Sequence, residues 1–235
     1  MIYLAYTLFG GLCGLWIYFY ASQFTFRLKQ QIYVTFCEVF PENAPHFMPK
    51  SLLQQKKCGH FSLYFLVGGL WANLCLLSQH NIYVGLWLAI CGYLIFCLAL
   101  VDWLYQLISP TLCQLLFILG LLGSYQEFSV LSLEQSLLSG LCGFLTFYLL
   151  YLCAKLFYRY EALGRGDYWL MLGLGSFVSW TTLPLLVSIA CISGLAYAFW
   201  QKSCKKTTYI PFAPFLCLSA TIIYLLNSLR GDILL

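Results

Sequence analysis

The chain predicts an all-α protein of the lipid bilayer, with about eight transmembrane helices and both termini on the periplasmic side. Three observations carry that prediction. Hydrophobic residues make up 62% of the 235 positions and charged residues only 9%, where a soluble domain carries about 25% charged. Apolar runs recur at lengths of roughly 17–25 residues, enough to cross hydrocarbon as helices that satisfy their own backbone. Basic residues gather in alternate connecting segments, as the positive-inside rule requires. Mean hydropathy is +0.83.

Taken in order, the first predicted span is Ile2–Tyr20. It lacks the basic n-region and small-x-small cleavage site of a signal peptide and is longer than a usual apolar h-region, so it reads as a retained helix. Residues 21–60 follow as the one sizeable extramembrane loop, too small to bury a core of its own. Phe61–Leu77 and Ile82–Val101 are the second and third spans, the latter an unbroken apolar run of 20 residues. Ile108–Gly123 and Leu137–Phe157 are the fourth and fifth. Tyr168–Trp180 is a short sixth. Leu183–Trp200 is the seventh, or continues the sixth as one element bent at Pro184, because Pro removes an intrahelical hydrogen bond. Ile210–Ser228 is the last.

Sidedness follows from the cations. Arg27, Lys29, Lys50, Lys56 and Lys57 follow the first span; Lys155, Arg159 and Arg165 follow the fifth; Lys202, Lys205 and Lys206 follow the seventh. The loops at 78–81 and 124–136 hold no Lys or Arg, and only Arg230 falls on their side. The three basic segments are therefore predicted cytoplasmic. The net charge of +4 reports topology and gives no sign of a nucleic-acid partner.

Most of the twelve cysteines lie inside apolar spans, where a thiol packs as a small hydrophobe. No Cys-x-x-Cys pair occurs. Cys37, His46, Cys58 and His60 share the basic loop at spacings that match no usual zinc set, so no metal is expected. The chain also lacks a Walker loop, a dinucleotide fingerprint, His-Glu-x-x-His and Gly-x-Ser-x-Gly.

Two acids stand out against this background. Asp102 closes the third apolar run, and Asp167 ends Gly164-Arg165-Gly166-Asp167 just before the sixth. An ionisable group at hydrocarbon depth costs several kcal/mol unless paired or wetted, which makes it a functional candidate. Both acids fall on the predicted cytoplasmic side, although acids contribute little to the rule that assigns sidedness. A close pair of carboxyls cannot both ionise cheaply, so one holds a proton while the other stays basic. Such a pair can activate water against a peptide carbonyl without metal or covalent intermediate. Gly164 and Gly166 are expected to allow backbone conformations closed to other residues and close approach of a substrate. A structural reading stands beside this one. Asp167 can cap the following helix, and Asp102 can end its helix in interfacial water or pair with Lys155 or Arg165.

The segments around both acids carry a resemblance. Ala99-Leu100-Val101-Asp102 with Gln106 to Leu112, then Leu163 to Asp167 with Leu170 to Gly175, then Trp180, Leu183-Pro184 and Ile210 to Leu216 resemble, in that order, the type IV prepilin peptidases. These are membrane aspartic proteases that mature pilins and pilin-like secretion subunits. The resemblance runs over roughly residues 90–228. It implies that Asp102 and Asp167 are the catalytic pair and that Gly164 and Gly166 shape a substrate-binding site. It further implies prepilin or pseudopilin substrates, cut after a Gly on the cytoplasmic face of the bacterial inner membrane. Residues 1–60 then form the first helix and a basic cytoplasmic loop, and 61–235 the peptidase core.

The chain departs from the family pattern at Ser109, Trp169 and Ala213, and it lacks the tetracysteine segment associated with methylating the new N-terminus. Cleavage is expected to need no cofactor, and S-adenosylmethionine only if methylation is retained. Two other classes fit the acids: a proton- or cation-coupled transporter, whose acids carry its cargo, and a degenerate family member serving as an assembly scaffold.

Overall fold

In the computed structural model, residues 1–40, 55–79, 81–158, 164–203 and 210–234 are described, and all regular structure among them is helical. The predicted cations Lys50, Arg159, Lys205 and Lys206, together with His46 and the side chain of Arg230, lie outside the described residues. The helices are α1 (Ile2–Val39), α2 (Phe61–Ser78), α3 (Ile82–Tyr105), α4 (Pro110–Tyr125), α5 (Leu133–Tyr158), α6 (Asp167–Gly175), α7 (Leu183–Ser203) and α8 (Ala213–Leu234). Five of them, α1, α2, α3, α5 and α7, are long and apolar enough to cross a membrane.

Three boundaries differ from the sequence expectation. α1 runs on to Val39, so the first half of the predicted loop is helix. Charge does not stop a helix; the first breaker after the apolar run is Pro41, which disfavours helical geometry in the residue before it. α8 begins at Ala213, three residues later than expected, with Pro214 inside its first turn. Pro belongs there because the first helical N–H groups have no intrahelical partner. α6 has only nine residues. Single-turn bonds Ser176 to Gly173, Phe177 to Leu174 and Val178 to Gly175 carry the chain onward, and residues 176–182 separate α6 from α7, so the two are not one bent helix.

The chain forms two compact units, Met1–Gly85 and Leu86–Leu235. In the first, α1 and α2 pair through glycines. Gly10 and Gly14 of α1 stand one turn apart and meet Gly68 of α2 so closely that a Cβ on Gly14 would collide with the Tyr64 carbonyl, and one on Gly68 with the Gly10 carbonyl. Small residues at this spacing let helix backbones touch and gain dispersion contacts where no hydrophobic force acts between helices. Asn73 Nδ2 donates to Thr7 Oγ1 at 2.7 Å and the Tyr6 hydroxyl to the Ile82 carbonyl at 2.6 Å.

In the second unit, α6 is the buried centre. Leu170, Met171, Leu172 and Leu174 are all buried. α4 and α5 grip the helix: a Cβ on Gly173 would come within 2.9 Å of the Cys113 carbonyl, and one on Gly175 within 2.9 Å of the Ser139 carbonyl. The Ser136 hydroxyl donates to the Ser176 carbonyl at 2.7 Å. Large apolar side chains such as Leu145, Leu149, Ile192, Leu195 and Phe199 point outward. That surface suits lipid and exceeds what soluble proteins expose.

Candidate active site

Asp102 sits one turn before the end of α3, and its carbonyl accepts the Gln106 N–H at 2.8 Å. Gln106 then takes a left-handed backbone at φ 55°, a conformation common just past a helix end. This redirects the chain through Leu107–Ser109 to Pro110 at the start of α4. Asp102 is therefore inside its helix rather than closing it, and only 5% exposed. Its Oδ2 accepts the backbone N–H of Ala213, the first residue of α8, at 3.1 Å.

Asp167 is the first residue of α6 and is 7% exposed. The cap position belongs to Gly166, and no side chain caps this helix. Asp167 thus does not fill the capping role. Its own N–H bonds the Gly164 carbonyl at 3.2 Å, closing a turn over Gly164–Gly166. Burial pushes its carboxyl up to about 7; the charge of Asp102 adds to the rise, and a hydrogen bond from the Gly164 backbone opposes it. This is the behaviour of a carboxyl that shares a site with another.

Both acids open on one cavity of about 740 Å³. Its walls come from the α3–α4 link (Gln106 to Ile108), the Gly164–Gly166 turn with Tyr168 and Trp169, and the non-helical Ile210–Phe212 ahead of α8. Among the described residues that line it, Arg165 is the one cation. Two buried thiols lie near the acids, Cys113 of α4 within reach of the Asp167 charge and Cys217 of α8 within reach of that of Asp102.

All four residues singled out from the sequence line this cavity. The glycines serve it for a reason other than the expected one. Neither Gly164 nor Gly166 has a left-handed backbone; Gly166 sits at φ −80°. What they permit is close packing. A Cβ on Gly166 would lie 2.5 Å from the Ile108 Cβ, and one on Gly164 would lie 3.1 Å from Asp167 Oδ2.

Sequence reasoning missed the wall at Ile210–Phe212 and the Ala213 donor, having placed them inside a span. Pro211 and Pro214 were the available signal, since Pro marks the residues just before and just inside a helix start. Trp169 packs edge-on against Phe144 of α5 at 5.2 Å. Lys155, weighed as a partner for Asp102, instead holds its ammonium 5.9 Å from the Tyr151 ring centre. Among the described residues no group of three or more His, Cys, Asp or Glu could hold a metal ion.

Comparison with known proteins adds an independent line. The model of the type IV leader peptidase family matches residues 88–199, a segment that contains both acids and the turn between α5 and α6. The prepilin leader peptidase/N-methyltransferase of Haemophilus influenzae is 40% identical over 225 residues, covering 95% of this chain and 97% of that protein. The Dickeya chrysanthemi protein of the same name is 33% identical over 145 residues, 60% of this chain and 51% of its own length. A type 4 prepilin-like proteins leader peptide-processing enzyme of Escherichia coli is 36% identical over 121 residues, 52% of this chain and 44% of its own. The chain therefore aligns with nearly all of the first relative and with about half of each of the other two. No solved structure matches.

Proposed function

The chain belongs to the type IV leader peptidase family, and from that premise we propose that it cuts the leader from type IV prepilins or pilin-like proteins, using Asp102 and Asp167 as a paired acid and base. The observation that carries this reading is the meeting of two buried carboxyls, from separate helices, on one cavity.

The chemistry follows from their arrangement. The charged carboxylate takes a proton from a water held between the two, and the water oxygen adds to the peptide carbonyl carbon. The protonated carboxyl hydrogen-bonds the carbonyl oxygen and gives up its proton as the tetrahedral gem-diol forms. A proton then passes to the peptide nitrogen, the C–N bond breaks, and a carboxylic acid and a new amino terminus leave. The dyad titrates as a unit. Gly166 lets the turn pack directly on Ile108, and Gly164 keeps a methyl off the Asp167 carboxylate, which leaves that carboxylate free to face an extended substrate backbone.

The proposed site faces the cytoplasm of the bacterial inner membrane, and both chain ends face the periplasm. Lys155 ends α5, Arg165 precedes α6 and Lys202 ends α7, which the positive-inside rule puts at the cytoplasmic surface. Trp103, next to Asp102, packs on Tyr197 at 5.3 Å, and Tyr197 lies 5.9 Å from Trp200. Such aromatic groups favour the headgroup level, which supports a place for the acids at the inner edge of the hydrocarbon. Every cavity residue belongs to Leu86–Leu235, within the segment 61–235 assigned as peptidase core.

Methyl transfer is a separate matter. Among the described residues Asp102 and Asp167 are the only carboxylates lining the cavity, so the described wall supplies no acid beyond the pair for the amine and ribose hydroxyls of S-adenosylmethionine.

The test is cleavage of a purified prepilin in detergent or liposomes by the wild type, Asp102→Asn and Asp167→Asn. Each variant is expected to lose at least about a hundredfold in rate, the usual scale for removing a general acid or base, while folding as the wild type does. Processing at the wild-type rate by either variant would refute the paired-acid reading. Retained cleavage with proton or cation flux abolished would favour a transporter instead.

A further inference from the structure

The two acids are not equivalent. Asp102 Oδ2 is met by the backbone N–H of Ala213 at 3.1 Å, a buried bond that spans from α3 to α8. Ala213 is wholly buried and opens α8, so this N–H has no partner within its own helix. A donor of this kind favours the charged form of the carboxylate it touches, and the positive end of the helix dipole adds to that preference. Asp167 also has one backbone donor, from Gly164, and opens α6, but the neighbouring charge of Asp102 adds to the burial that disfavours its ionisation. Other titratable groups close to the pair are Cys113 from α4 and Cys217 from α8, while Arg165 lines the same cavity from the turn before α6.

We propose that the Ala213 N–H is a positioning donor that keeps Asp102 as the charged, water-activating member of the pair and leaves Asp167 to carry the shared proton. This rests on the paired-acid reading above and assigns the roles within it. The geometry also makes the site depend on the start of α8: Pro211 and Phe212 form the cavity wall and Ala213 the donor, so a shift of this helix end would move both together.

The donor can be removed without changing the side chain by replacing Ala213 with lactic acid through nonsense suppression, which turns the 212–213 amide into an ester. The readout is the pH profile of kcat/KM for prepilin cleavage. Loss of the donor is expected to move the acid limb upward by about one pH unit, roughly a tenfold loss below that limb with recovery at higher pH. Ala213→Pro removes the same N–H by other chemistry and suits a first-turn position; it should shift the limb the same way. Ala213→Gly keeps the donor and should leave the limb in place.

An ester at Phe215, whose N–H bonds the Phe212 carbonyl at 3.1 Å, weakens the same helix start without touching Asp102 and should also leave the limb unchanged. An unmoved limb in a folded, donor-free variant overturns the assignment, and so does an equal shift with the Phe215 ester. Full activity of Asp102→Asn would instead refute the pair itself, so the two failures are distinguishable.

Discussion

At the scale of single residues, the tightest constraint near the acids is steric. Ile108, in the link between α3 and α4, fills the space against which Gly166 packs. A methyl at Gly166 would meet the branched Ile108 Cβ at 2.5 Å, and neither group can rotate away. A methyl at Gly164 would meet only the carboxylate end of Asp167 at 3.1 Å, which can swing by a few tenths of an ångström. Gly166→Ala is therefore expected to cost about 1–3 kcal/mol of stability, the usual range for overpacking, and to slow cleavage more than Gly164→Ala does. Thermal unfolding and initial cleavage rates of the two variants check this ranking; equal effects would contradict it.

Asp167 also makes a prediction about pH. Its carboxyl titrates near 7 in the folded protein, against about 3.9 in an unfolded chain. Between those values the native state binds the extra proton, so this group's contribution falls as pH rises from about 4 to about 7 and is constant beyond. Asn mimics the protonated acid and has no such slope. Asp167→Asn should match the wild type in unfolding temperature at pH 4 and exceed it at pH 8. A difference that stays constant across that range would refute the raised carboxyl.

At the scale of elements, the helices hold together through absences of side chain. Gly14 faces the Tyr64 carbonyl and Gly68 the Gly10 carbonyl, backbone against backbone, with nothing flexible to give way. Gly14→Ala must push α1 and α2 apart and forfeit the dispersion contacts along the seam. It should lower the unfolding temperature distinctly, whereas Leu15→Ala, one residue along, should do so less. Hydrogen–deuterium exchange over α1 and α2 gives the same comparison locally. α6 follows this logic from two sides at once, with Gly173 against Cys113 and Gly175 against Ser139. That grip holds Asp167, at the first residue of α6, where its carboxyl shares a cavity with Asp102.

At the scale of the whole molecule, the proposed sidedness is directly measurable. Reporter fusions at Gln126 and at the C-terminus should report the periplasm, and fusions at Lys57 and Lys202 the cytoplasm. A cytoplasmic signal at Gln126 would invert the proposed orientation of the site.

Much of this was legible in the residues alone. Helical class, the positions of the apolar elements and the two acids worth attention follow from hydropathy and charge, which each position carries by itself. Spans two, three and seven begin where the chain predicts, because an apolar run bounded by polar residues reads the same folded or not. Other features depend on which surfaces meet. α1 continues to Val39 because helix termination answers to Pro and not to charge. α6 stops at Gly175, within an apolar run that by composition alone continues to Val178. The role of Gly166 rests on Ile108, which is remote in sequence and adjacent only in space. The donor to Asp102 is a backbone N–H, a group that every residue except Pro possesses and no sequence pattern distinguishes. Composition thus determined the solvent this protein lives in and the acids it can use. Only packing decided that these acids share one cavity and which of them meets an idle helix start, because close approach is a property of pairs of surfaces and not of any single residue.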